Sequence, residues 1–322
     1  MLRLSTRLLL LIFVISVIIG LYLRYSTRVI EYTMGPGTER QIDSSFKWAL
    51  NNNYDILILG SSKFYRGLNP DLLGIPAFNF AHDNDAYNQM YYKLLFLKEH
   101  NKSFNYLIIS VDYAPFSNIS ETRNHLYKKY FDPEYFNDYK LGSTTNGKLI
   151  KDFNDSFNRF MKIRFSMTFT KFAESVIALI AKGKPDDIPY MKPNGQYIKP
   201  GKSTPDLFVS RKYTPLKLQE NYFQKILDHC NKENIKVFLI MPPFLEADLK
   251  LYPEENILFY QKYFTSLADN LNSWYLDYSS GSLFSAVDYT GLAHLNDNAA
   301  DRFSEILNNQ IENILNPLSL LP

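Results

Sequence analysis

Three short, almost unbroken apolar runs dictate the architecture of this chain: Tyr54–Leu59, Tyr106–Val111 and Lys236–Met241. Each stops abruptly, at Gly60, at Asp112 and at Pro242-Pro243. A strand covered on one face alternates apolar and polar residues. A strand buried on both faces reads as a continuous apolar run, the habit of parallel sheets. Two weaker strand patterns, Ala77–Ala81 and Ser273–Asp277, complete a set of five. Helical spacing fills the gaps at 86–99 (Met90, Leu94, Leu97), 216–234, 254–271 and 297–315. Parallel neighbours need right-handed crossovers, and helices supply them. The expected fold class is therefore α/β, a three-layer, doubly wound parallel sheet.

Between Tyr113 and Pro215 the alternation lapses. The stretch is aromatic and loop-rich, with one helix expected over 153–181, stopped by Gly183-Lys184-Pro185. Turns follow at Pro193-Asn194-Gly195 and Lys199-Pro200-Gly201. It reads as a cap inserted at the strand edge, over about 113–215, with an independent second domain as the alternative.

The N-terminus carries sixteen uncharged residues, Leu8 to Leu23, between Arg7 and Arg24. A membrane-spanning helix wants roughly 20 apolar residues. Tyr22 at the interface and snorkelling arginines make up the shortfall. A cleavable signal peptide is the rival, but the bulky Leu21-Tyr22-Leu23-Arg24-Tyr25 lacks a small-x-small cleavage site. The expected organisation is an uncleaved anchor over 1–28, a connector over 29–52 with a short helix near 44–51, and a globular domain over 53–315. So short a head stays inside, which puts the domain on the outer (periplasmic or extracellular) side of the cytoplasmic membrane.

Composition excludes several functions. Apolar residues make up 46% of the chain, too many for global disorder, and a net charge of +2 does not call for nucleic acid. Cys230 stands alone, which leaves neither an intrachain disulfide nor a thiolate metal site. Phosphate-loop and dinucleotide fingerprints are absent. His82, Asp83 and Asp85 are possible metal ligands by type, but near-adjacent residues seldom converge on one ion, so neither metal nor cofactor is expected.

Chemistry enters at two distant points. Ser62 follows the first apolar run and Gly60-Ser61, which puts a hydroxyl at the carboxyl edge of the sheet, where ligands bind in open α/β folds. His294 lies in a loop just before the last helix, whose N-cap is Asn296 or Asp297. Histidine is a natural general base, because its ordinary pKa leaves it neutral near pH 7. The parallel topology brings both residues to one edge. Asp112, at the end of the third run, either binds substrate or caps a turn.

These residues resemble the blocks of the SGNH (GDSL-like) hydrolase superfamily in its membrane-anchored variant. Leu59-Gly60-Ser61-Ser62-Lys63-Phe64-Tyr65-Arg66-Gly67-Leu68-Asn69-Pro70 is similar to the first block, Phe78-Asn79-Phe80-Ala81 to the second, and His294-Leu295-Asn296 with Ala299 to the last. The resemblance implies Ser62 as nucleophile and His294 as its base. The acid usually found three residues before the histidine is replaced by Gly291. The nearest upstream carboxylate is Asp288, which completes a triad if the loop carries it to the imidazole; otherwise the site is a Ser–His dyad. The second-block glycine is missing from Ala81-His82-Asp83-Asn84, and the third-block Gly-x-Asn gives way to Ile109-Ser110-Val111 and Asp112. Asn79 or Asn84 is then the expected replacement oxyanion donor. The implied activity is O-acyl transfer to a cell-surface polysaccharide through a Ser62 acyl-enzyme, beside a polytopic membrane acyltransferase. A carbohydrate esterase or deacetylase using the same site, and a non-catalytic scaffold of a glycan assembly complex, are the alternatives.

Overall fold

A computed structural model of the protein describes residues 6–18, 20, 38–117, 124–127, 129–132, 134–135, 177, 190–198, 215–250, 252–270, 273–280, 283–290 and 294–316. The chain divides into two compact units, Met1–Gln41 with Thr145–Pro189, and Ile42–Thr144 with Tyr190–Pro322. In the first unit, residues 6–18 are helical, and every apolar side chain from Leu8 to Ile18 among them is exposed. Among the described residues no helix is long and apolar enough to cross a membrane. The rest of the anchor expected over 1–28 lies outside the described residues apart from Gly20, as does the helix expected over 153–181 apart from Ile177.

The second unit holds the sheet. Its elements run α1 (Thr38–Asn51, from Ile42 onward in this unit), β1 (Ile56–Leu59), α2 (Ser62–Gly67), β2 (Ala77–Asn79), α3 (Tyr87–Glu99) and β3 (Tyr106–Ser110). They continue through α4 (Tyr113–Ser117), α5 (Asn124–Tyr127), α6 (Lys217–Lys232), β4 (Lys236–Met241), α7 (Glu246–Leu249) and α8 (Glu254–Asn270). The last are β5 (Ser273–Asp277), β6 (Tyr289–Thr290), β7 (His294–Leu295) and α9 (Asp297–Leu315). Strands β1 to β5 form one wholly parallel sheet in the order β2-β1-β3-β4-β5. This is the flavodoxin-like order, whose topological switch point lies between β1 and β3.

The apolar runs are continuous because both faces of the strands are covered. Leu57, Leu59, Leu107, Ile109, Val237, Leu239 and Met241 join one large cluster with Met90 and Leu94 of α3, Phe223 and Ile226 of α6, and Phe264 of α8. The alternate residues Ile56, Ile58, Ile108, Phe238 and Ile240 are equally buried. Part of the expected connector belongs to this core, since Ile42, Phe46 and Ala49 are buried in the same cluster. Phe46 meets Phe80, Phe96 and Tyr130 at ring separations of 4.8, 4.8 and 3.8 Å.

A buried ion pair fixes the chain after β2. Lys93 and Asp85 are 1% and 2% exposed, and the Lys93 ammonium donates to the Asp85 carboxylate and to the Phe80 carbonyl, both at 2.6 Å. The Tyr127 hydroxyl donates to the other Asp85 oxygen at 2.6 Å. Such a pair survives burial because each charge has several partners.

Candidate active site

Ser62 is placed by a turn with no slack. A Cβ on Gly60 would stand 2.9 Å from the Cβ atoms of both Phe64 and Ser110, so only glycine lets the end of β1 approach β3 and α2 this closely. Across the switch point the Ser61 hydroxyl donates to the Asp112 carboxylate at 3.0 Å, and the Ser110 hydroxyl does so at 3.3 Å. Ser61 then takes extended backbone as N-cap, and Ser62 is the first residue of α2.

His294 arrives from the other end of the chain. β6 and β7 form a small antiparallel hairpin in which Thr290 pairs with His294 and Tyr289 with Leu295. Asn296 caps α9 by accepting from the Ala299 N–H at 2.9 Å, and its amide donates to the Val287 carbonyl at 2.9 Å. Helix α9 is bolted to the segment following α2. Ser304 accepts from the Asn69 N–H at 2.8 Å, Asp301 from the Asn69 amide at 2.7 Å, and Asn308 from the Gly74 N–H at 2.6 Å. Together these contacts bring His294 Nε2 to 2.9 Å from Ser62 Oγ across 232 residues of sequence.

The electrostatics keep this imidazole neutral. Burial, followed by the charge of Arg66, lowers the His294 pKa from 6.5 to about 3; Lys63 acts in the same sense and Asp83 opposes them. Nε2 can therefore accept the serine proton, in the tautomer with Nδ1 protonated. Lys63 is itself nearly buried. Its ammonium lies 2.8 Å from Asp248 and 3.3 Å from the centroid of the Phe244 ring, both residues following β4. Arg66 grips Asp83 with Nε at 3.2 Å and Nη2 at 3.0 and 2.9 Å. Burial, with Asp248 and Asp288 nearby, raises the Tyr289 pKa.

Of the other expected site residues, Asp288 and Asn79 are engaged elsewhere, Asp112 takes one of its two expected roles, and Asn84 stands exposed. Asp288 does not reach the imidazole: its carboxylate accepts from the Ser285 N–H at 2.8 Å and hydroxyl at 3.1 Å, and from Arg302 at 2.6 Å. The reason is local, since Asp288 closes a capping box on the turn of 3₁₀ helix that starts the hairpin. Asn79 is fully buried, and its amide is spent on the Phe64 and Leu68 carbonyls at 2.8 and 3.1 Å and on the Ala81 N–H at 3.1 Å. It holds α2 in place and offers nothing to an oxyanion. Asp112 is also fully buried and clamps the turn, the second of its two expected roles. Asn84 is exposed at the turn after β2, in left-handed backbone with φ 60°.

The metal reading of His82, Asp83 and Asp85 dissolves into three separate contacts. His82 stacks on Tyr65 at 4.6 Å, Asp83 pairs with Arg66, and Asp85 pairs with Lys93. Among the described residues no group of three or more acidic, histidine or cysteine side chains could hold a metal ion. Sequence reasoning passed over Lys63, Arg66 and Asp248, and weighed Asp83 only as a metal ligand. Arg66 could have been found from its spacing, because it stands one helical turn after Ser62 on the same face.

A protein-family model that carries no functional description matches residues 197–316, less than half of the chain. That span contains β4, β5, the hairpin with His294, and α9, but not Ser62. No curated protein matches the sequence.

Proposed function

We propose that this protein is an SGNH-type acyl-ester enzyme in which Ser62 is the nucleophile and His294 its general base. The observation that carries the reading is the 2.9 Å contact between Ser62 Oγ and His294 Nε2 at the carboxyl edge of a parallel sheet. As the Ser62 oxygen attacks an ester carbonyl, its proton passes to Nε2. The tetrahedral intermediate then expels the alcohol, which takes that proton back, and leaves an acyl-enzyme. A sugar hydroxyl or water, deprotonated by the same nitrogen, releases the acyl group. His294 works here without the acid Asp288, as a dyad. Lys63 and Arg66 lie within electrostatic reach of the imidazole. They oppose an isolated imidazolium, Asp83 offsets part of that, and the residual positive field favours the oxyanion formed beside it.

The reaction most in keeping with the sequence is O-acyl transfer to a cell-surface polysaccharide, with a polytopic membrane acyltransferase as donor. Residues 8–18 support attachment to a membrane, being helical, exposed and apolar but for Ser16. Hydrolysis of the same ester is the outcome if water reaches the acyl-enzyme first. The test is to incubate the full-length protein with a chromogenic acetyl ester and digest it after an acid quench. An acetylated Ser62 peptide in the wild type, missing from Ser62→Ala, is the expected result. No acyl adduct and no ester turnover would favour a non-catalytic scaffold, a role consistent with an imidazole that no carboxylate among the described residues orients.

A further inference from the structure

We propose that Tyr190, Tyr197 and the Arg66–Asp83 pair form a carbohydrate subsite next to Ser62, taking a neutral pyranose ring. The assignment deepens the acyl-ester reading and rests on it for the subsite's purpose, though not for its test. It begins with residues 190–198, the piece of the expected cap that docks on the sheet. Met191 and Tyr197 form an antiparallel bridge, and Gly195 turns the hairpin with φ 90°. A Cβ there would lie 1.9 Å from the Asn79 carbonyl oxygen, so the tip is pressed against β2. The Asn194 carbonyl accepts from the Asn79 N–H at 2.9 Å, Pro193 from the Asn52 amide at 2.8 Å, and Tyr65 from the Tyr197 N–H at 2.9 Å. The hairpin is thus held on β2 and on α2, the helix that Ser62 opens.

This docking sets Tyr197 beside α2, with Tyr190 against it. Tyr197 stacks on Tyr65 at 5.2 Å, and the Arg66 guanidinium carbon lies 5.5 Å from the Tyr197 centroid. Tyr190 meets Tyr197 edge-on at 6.4 Å and 75°, so the rings make a corner. Tyr190 is 52% exposed and holds φ 68°, a left-handed backbone that a bulky residue adopts at a cost.

The polar half of the corner is Arg66 with Asp83, their side chains 24% and 20% exposed. Arg66 stands four residues after Ser62, which brings their Cβ atoms to about 5–6 Å on one helix face. It spends Nε and Nη2 on Asp83, which leaves Nη1 to donate to a ligand. Because the carboxylate already neutralises the guanidinium, the pair suits uncharged hydroxyls better than an anion. A pyranose supplies both halves, C–H faces for the rings and vicinal hydroxyls for the fork.

The experiment is saturation-transfer NMR on the full-length protein in detergent. Four neutral hexasaccharides serve as probes, built of β-linked glucose, α-linked glucose, mannose and N-acetylglucosamine, with an oligogalacturonate as anionic comparator. At least one neutral probe is expected to bind, and Tyr190→Ala to weaken it roughly five- to tenfold, the scale of one lost aromatic stack. Phe259→Ala removes a comparably exposed ring on α8 and is expected to change nothing. The subsite is overturned if no neutral probe binds the folded wild type, if only the oligogalacturonate binds, or if Tyr190→Ala binds as the wild type does. Sugar binding without acylation of Ser62 would sink the acyl-ester reading and keep the subsite; acylation without sugar binding would do the reverse.

Discussion

The proton affinity of His294 has a consequence that can be measured without a substrate. Its pKa is about 3 in the folded protein against an ordinary 6.5, chiefly because the ring is buried and then because Arg66 and Lys63 lie nearby, with Asp83 opposing. Between those two values the unfolded chain binds a proton that the native chain refuses. Stability must therefore fall as pH falls below 6.5. The loss is about 1 kcal/mol at pH 5.5 and about 3 kcal/mol at pH 4.5, from a shift of this size. Carboxylates titrate over the same range, so the quantity to follow is the difference between wild type and His294→Asn, which keeps a polar side chain but cannot take up the proton. Urea unfolding from pH 7 to 4.5 should show wild type losing its margin over the variant by those amounts. The ring proton shifts of His294 should meanwhile stay flat in the native protein. A margin independent of pH, or a native ring that titrates near 6.5, would refute the burial and charge arrangement described for the site.

Other consequences follow from the same contacts. Lys93→Met strands the buried Asp85 charge and should cost about 3–5 kcal/mol in urea unfolding, with Asp85→Asn in the same chain restoring part of it. Gly60→Ala drives a methyl group into Phe64 and Ser110, and displacing the turn should slow acylation of Ser62 about a hundredfold. Asp288→Asn should leave acylation within about threefold, since that carboxylate serves Ser285 and Arg302; a loss near 10⁴ would return it to the site as a triad acid.

The sheet was legible because burial on both faces writes itself into consecutive residues. β1, β3 and β4 lie within their apolar runs, and α3, α6, α8 and α9 fall within a residue or two of the helical spacing. The encounter of Ser62 with His294 was legible as well, since parallel topology brings strand ends to one edge. Side-chain direction was not legible. Asp112 at a strand end looks the same in sequence whether it faces a cleft or a serine on the next turn. Asn79 sits in a familiar block, yet three backbone groups claim its amide. Asp288 is near His294 in sequence, but the 3₁₀ turn at Ala286–Asp288 folds its carboxylate back on Ser285. Lys93 carries no local signal of burial at all; its partner Asp85 lies eight residues away, across the turn that enters α3. The Pro193-Asn194-Gly195 turn was visible, but its docking on β2 was not, because that depends on the room Gly195 leaves for the Asn79 carbonyl.

The most direct measurement is the rate at which a fluorophosphonate labels the full-length protein, with the modified peptide read by mass spectrometry. An oxygen made nucleophilic by a neighbouring imidazole should place the label on Ser62 in the wild type, with none on Ser62→Ala and at most about a hundredth of the rate on His294→Ala. Labelling that ignores the loss of His294, or a folded wild type that takes up no label, would contradict a working hydroxyl–imidazole pair.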